Sequence, residues 1–144
     1  MPLRWFTVKG EAAYFSSKDQ YADNYALYVL QLERTAGEWT LVGGYAGEVV
    51  TKRRTLVNFA PDRGLARAFV ARANYSIDTD RSVAGEAAIR ENGDGVWLKS
   101  EYIQTLNPHW QARASFTLIR GRENDFLGQY RRNSHAILAF RYSW

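Results

Sequence analysis

The chain closes on His135-Ala136-Ile137-Leu138-Ala139-Phe140-Arg141-Tyr142-Ser143-Trp144. In an extended backbone, Ala136, Leu138, Phe140, Tyr142 and Trp144 share one face, and His135, Ile137, Ala139, Arg141 and Ser143 share the other. A period of two built from aromatic and aliphatic residues predicts a strand with one greasy and one mixed face.

Seven earlier segments repeat the pattern, over 5–15, 25–34, 39–50, 66–77, 82–90, 96–106 and 110–119. In 39–50, for example, Trp39, Leu41, Gly43, Tyr45, Gly47 and Val49 oppose Thr40, Gly44, Ala46 and Glu48. Ser100 and Gln104 blur the greasy face of 96–106. The chain therefore reads as eight strands, each about as long as the ~9–11 residues of a tilted bilayer crossing. The connectors alternate as well. Thr35–Glu38, Asp78–Arg81 and Asn107–His109 are short, with Gly, Asp and Asn-Pro turn chemistry. Ser16–Asn24, Thr51–Gly64 and Arg120–Asn133 are long and polar, and Glu91–Gly95 is a shorter hairpin. Short and long connectors on opposite sides predict an all-β, eight-stranded antiparallel up-and-down transmembrane β-barrel, with both termini on the short-turn side. It is expected to fill residues 1–144 as one domain.

The 144 residues include five Trp, nine Tyr and seven Phe, no Cys, and two His, at 109 and 135. Disulfides, zinc–thiolate sites and cysteine nucleophiles are excluded, and a histidine-rich metal centre is not expected. No uncharged apolar run approaches the ~18 residues of a transmembrane helix, which leaves barrels open because their strands average to ordinary hydropathy. Met1–Phe6 carries no basic segment followed by an apolar core. On that ground the chain is expected to be either cytoplasmic or a mature region given a new start Met.

The two faces separate a membrane barrel from a soluble one. The greasy face carries rings near the segment ends: Phe6 and Tyr14, Trp39 and Tyr45, Phe69 and Tyr75, Trp110 and Phe116, Tyr142 and Trp144. That placement matches interfacial aromatic girdles. Between them lie Val, Leu, Ala and Gly, a set too small to fill a soluble core. The opposite face collects Lys9, Glu11, Glu33, Glu48, Arg72, Glu86, Arg90, Lys99, Glu101, Arg113 and Arg141. These are expected to form a nearly balanced charge network in the lumen.

The last strand resembles the closing strand of Gram-negative outer-membrane barrels. The resemblance rests on a terminal aromatic, here Trp144 in place of the commoner Phe, preceded by Leu138, Phe140 and Tyr142 at alternate positions. It implies an outer-membrane location, contact with membrane lipid and lipopolysaccharide, and recognition of Leu138, Phe140, Tyr142 and Trp144 by the barrel-assembly machinery. Asn107-Pro108-His109-Trp110, Thr117–Gly121 and Asp125–Asn133 resemble the end of larger porin-like barrels, including alginate-exporter-like and phosphate-selective-porin-like ones. That second resemblance implies an eight-strand piece of a wider pore.

Candidate chemistry is sparse. Ser134 and His135 are adjacent, so on a strand they point to opposite faces and cannot form a dyad with each other. Glu86 and Glu101 could flank a glycoside, but Arg90 and Lys99 beside them favour a structural ion-pair network. Asp78-Thr79-Asp80-Arg81-Ser82 lacks the Gly and terminal Glu of a calcium loop and reads as a turn. The formal charge of +4 lies in the loops, with Lys52, Arg53, Arg54 and Arg63 in one and Arg120, Arg122, Arg131 and Arg132 in another. Basic rims fit lipopolysaccharide phosphates or the attraction of a small anionic solute better than a nucleic-acid surface, so no nucleic-acid partner is expected. The expectation is a non-enzymatic, structural or porin-like outer-membrane barrel needing no cofactor or metal. The alternatives are a soluble lipocalin-like ligand-binding barrel and an outer-membrane lipid-modifying enzyme.

Overall fold

A computed structural model describes residues 5–55, 66–123 and 125–144. Eight strands follow in chain order: β1 Thr7–Phe15, β2 Asn24–Ala36, β3 Trp39–Lys52, β4 Ala68–Ser76, β5 Arg81–Arg90, β6 Gly95–Asn107, β7 Trp110–Gly121 and β8 His135–Tyr142. Each pairs antiparallel with its sequence neighbour, giving one meander sheet in the order β1 to β8. A four-residue helix, α1 Phe126–Gln129, and a 3-10 turn, Arg131–Asn133, lie between β7 and β8.

Turn chemistry sets the strand ends. Gly37 adopts φ +58 at the first position of the two-residue β2–β3 turn, which a primed hairpin turn reserves for glycine. Asp78 Oδ1 accepts the backbone N–H of Asp80, and Asn107 Oδ1 accepts those of His109 and Trp110. These side chains mimic backbone turns, which is why Asp and Asn stand there. Part of the long connector expected over Thr51–Gly64 lies outside the described residues, and so does Arg63.

The register keeps like opposite like. On the greasy face Leu32 faces Gly43, Gly43 faces Ala71, Ala71 faces Ala87, Ala87 faces Leu98, and Leu98 faces Leu118. On the other face one row crosses all eight strands: Thr7, Glu33, Val42, Arg72, Glu86, Lys99, Thr117, His135. That row begins at the short-turn end of β1 and finishes at the opposite end of β8. The strands are thus staggered by about one residue each, a slant that corresponds to a tilt of ~35–45° in barrels.

Closure is where the structure departs from the expected barrel. No ladder joins β1 to β8, and no residues of the two strands come near one another. Among the described residues the fold is an eight-stranded meander that ends on β1 and β8 without a closing ladder. The reason is physical: periodicity specifies faces and sequential neighbours, but it carries no term for the outer neighbour of the first or last strand.

A conventional core is missing among the described residues. The buried apolar side chains are Ala68, Ala88 and Leu127, and no large side chain is fully buried. Exposure runs opposite to that of a soluble sheet. In β3 and β5 the apolar Trp39, Leu41, Val49, Val83 and Ile89 are exposed, whereas Thr40, Glu48, Ser82 and Glu86 are half-buried.

Candidate functional site, a charged face and the loop that rests on it

The charged face is built by one parity of residues on every strand, so its side chains meet in rows. Arg72 on β4 stands directly across from Glu86 on β5, and their side chains pair at 3.5 Å (Nη1 to Oε1). Glu86 in turn faces Lys99 on β6. Lys99 reaches two residues along its own strand, with Nζ 3.2 Å from Glu101 Oε2. Arg113 on β7 approaches the same oxygen to 3.9 Å. At the β1 edge, Lys9 Nζ lies 2.6 Å from Glu33 Oε2. Glu48 sits on this face opposite Leu27, Glu11 opposite Val29, and Arg141 opposite Gln111. Among the described residues, Glu11 and Arg141 have no ion-pair partner.

These pairs are partly exposed. The Arg72 and Arg113 side chains keep 57% and 51% of their surface exposed. One pair differs. Arg90 Nε lies 3.2 Å from Asp125 Oδ1, with the two side chains only 11% and 3% exposed. Arg90 Nη1 also donates to the Ala66 carbonyl at 2.5 Å, and Asp125 Oδ2 accepts the Leu127 N–H at 2.9 Å. Asp125 therefore caps α1 and anchors it to the sheet in one step. Sequence reasoning placed Arg90 on this face but missed Asp125 as its partner. The sequence Asp125-Phe126-Leu127-Gly128, an acidic cap before a short apolar segment ending in glycine, signals the cap but not its partner.

The docked segment lies on the charged face. Gly95 and Gly121 provide the close approach: a Cβ at Gly95 would stand 3.0 Å from Leu127 Cβ, and one at Gly121 2.7 Å from Gly128 N. Ala68, Ala88, Gly95 and Thr117 are buried in this part of the sheet. Beside α1 a cavity of about 500 Å³ remains, lined by Gln31, Arg72, Glu86, Trp97, Phe126 and Leu127. Trp97 and Phe126 add aromatic surface to a wall of opposed charges. The loop's own cations are partly matched: Arg122 pairs with Asp94 at 3.0 Å and Arg131 with Glu123 at 2.5 Å.

On the greasy face the expected girdle residues gather mainly into two bands. Toward the short turns, Trp39 packs on Tyr75 at 4.7 Å between ring centroids, Trp110 on Tyr142 at 5.1 Å, and Tyr142 on Trp144 at 6.3 Å. Toward the long connectors, Tyr45 packs on Phe69 at 5.1 Å and on Tyr28 at 6.2 Å, and Tyr14 stands on the same end of β1. Phe6 precedes β1 at the short-turn end. Phe116 is the exception, standing at mid-height opposite Ser100 and Ala136. Between the bands no strand presents a charged residue on this face; Arg34, Arg81 and Arg120 occupy its margins. Leu138 and Phe140 on β8 are 68% and 61% exposed.

The remaining candidates stay apart. Ser134 Oγ accepts the Ile119 N–H at 3.0 Å, while His135 Nδ1 lies 2.7 Å from the Asn133 carbonyl. Glu86 and Glu101 are each engaged by cations, as above. No cluster able to hold a metal ion occurs among the described residues. No protein-family model, curated protein or solved structure matches this chain.

Proposed function

We propose that this chain is a wall of an outer-membrane β-barrel pore, non-enzymatic, with its greasy face toward lipid and its charged face toward an aqueous lumen. The observation that carries the proposal is the charge-free apolar band, exposed across all eight strands and bordered by aromatic bands and marginal arginines. In water, leaving Leu30, Leu32, Phe69, Leu138 and Phe140 exposed forfeits ~1.5–3 kcal/mol for each large side chain. A soluble ligand-binding barrel would bury that face and expose the other. A bilayer reverses the preference, because lipid solvates the apolar band and the paired ladders satisfy the backbone there.

On this reading, membrane lipid and lipopolysaccharide are the surrounding partners, and the Leu138, Phe140, Tyr142, Trp144 series is the assembly signal. The charged rows line the passage, and the α1 segment narrows it from one side. The wall is nearly balanced in charge, so any preference for a small anionic solute comes from the arginine-bearing connectors rather than the lumen.

The test is folding from denaturant into detergent or lipid vesicles against folding into plain buffer. The proposal predicts heat-modifiable gel mobility and strand signal with detergent or lipid only. A monomer that unfolds cooperatively in buffer alone would overturn it.

A further inference from the structure

The sheet ends on two outer strands, β1 and β8. β1 and β8 are nine and eight residues long, and among the described residues neither has a strand paired along its outer side. Natural sheets blunt such edges with Pro, bulges or outward Lys. Neither strand contains Pro, no register shift interrupts its ladder, and Lys9 is tied inward to Glu33.

Two charges of the polar face that have no ion-pair partner among the described residues sit on these two edges and have opposite sign. Glu11 projects from β1 and Arg141 from β8, on the same face of the sheet. An antiparallel β8–β1 ladder that sets Glu11 opposite Arg141 also sets Tyr142 opposite Gly10 and Phe140 opposite Ala12. Like faces therefore stay together, as they do in the seven existing ladders. The same register continues the one-residue stagger per strand that runs across the sheet.

We propose that the occupant of each edge is a second copy of this chain. β1 of one copy pairs with β8 of the other, and two copies close a sixteen-stranded barrel. The alternative partner of β1 is β8 of the same copy, and the docked loop argues against it. An eight-stranded barrel has an interior just wide enough for its own side chains. This face already carries eleven charged wall residues, the Trp97 ring, and α1 lying against Gly95 and Gly121. Sixteen strands leave an aqueous channel with room for the loop, in keeping with the half-exposed Arg72 and Arg113. The inference rests on the pore-wall proposal for which face is inside, but the pairing of edges is tested separately.

The chain has no cysteine, so a Glu11→Cys/Arg141→Cys variant carries the only two thiols. The full chain is folded in detergent, oxidised and run on a non-reducing gel, with the mass of the unmodified protein–detergent particle measured alongside. The proposal predicts a covalent dimer and a two-chain particle. It also predicts that Glu11→Arg weakens dimerisation by about tenfold and that Glu11→Arg/Arg141→Glu restores it. An internally crosslinked monomer would show that one copy closes on itself and overturn the proposal. A one-chain particle without any crosslink would also overturn it. Crosslinked dimers formed in plain buffer would uphold the pairing while overturning the membrane placement.

Discussion

Arg90 and Asp125, 35 residues apart in sequence, form the one buried ion pair among the described residues, and it fastens the β7–β8 loop to the charged face of the sheet. Removing one partner of a buried pair strands the other, at a cost of ~3–5 kcal/mol when burial is complete. Asp125→Ala is expected to approach that loss, because it deletes the cap on α1 as well. Chemical denaturation measures the cost, and trypsin cleavage after Arg131 or Arg132 reports release of the loop. A variant as stable and as protease-resistant as the parent would show that the pair does not hold the loop.

Glycines divide by what surrounds them. A Cβ at Gly128 would collide with the Arg122 carbonyl, and one at Gly121 would press on the backbone of Gly128 and Asp94. At Gly43 and Gly85, on the apolar face, a Cβ meets nothing within 4 Å. Gly128→Ala and Gly121→Ala should each cost ~1–3 kcal/mol through overpacking. Gly43→Ala and Gly85→Ala should be neutral or slightly stabilising. Equal melting temperatures across the four variants would contradict the docked position of the loop.

Much of this was legible in the sequence, because alternation is a local property and the structure preserves it. Every segment read as a strand is one, and greasy positions face greasy positions in all seven ladders. Asp78, Asn107 and Gly37 announced their turns through chemistry that acts within a few residues. What was illegible is what acts at a distance. Nothing near Asp125 indicates that Arg90 will receive it, and a period of two does not say that Glu101 will serve both Lys99 and Arg113. Trp97 and Ile103 stand on the charged face by parity, against their hydropathy. The missing β1–β8 ladder belongs with these, since edge pairing depends on a surface that the alternation does not encode.

The Asp78 carboxylate, in the β4–β5 turn, accepts Arg81 Nε at 2.7 Å and the Asp80 N–H at 2.9 Å. The Arg81 bond first, and the backbone bond second, hold its pKa below the ordinary 3.8. A depressed folded-state pKa means that the turn's contribution is present above the unfolded value and lost as pH falls through the folded one. Carbon-detected NMR in micelles should therefore find Asp78 titrating below ordinary aspartate, and Arg81→Gln should move it back upward. A midpoint at or above 3.8 in the parent protein would refute the pairing.

Arg113 lies 3.9 Å from Glu101 with half its side chain exposed. An exposed pair of this kind is worth only ~0–1 kcal/mol. Arg113→Ala should leave stability nearly unchanged while shifting the cation-to-anion permeability ratio toward cations in a planar bilayer. A loss of several kcal/mol would mean that the lumen is dry and narrow, as in a self-closed eight-stranded barrel.

The placement of lipid on the greasy face is tested most directly by single-cysteine probes at neighbouring positions of β7. Ala114 faces Leu138 and Tyr102 on the apolar side, and Ser115 faces Ile137 and Glu101 on the charged side. An environment-sensitive fluorophore is attached at each position in turn, and the protein is folded into vesicles. The account predicts that bromine-labelled acyl chains quench the probe at Ala114 and spare Ser115, while aqueous iodide does the reverse. Iodide quenching at both positions, or the opposite alternation, would contradict it.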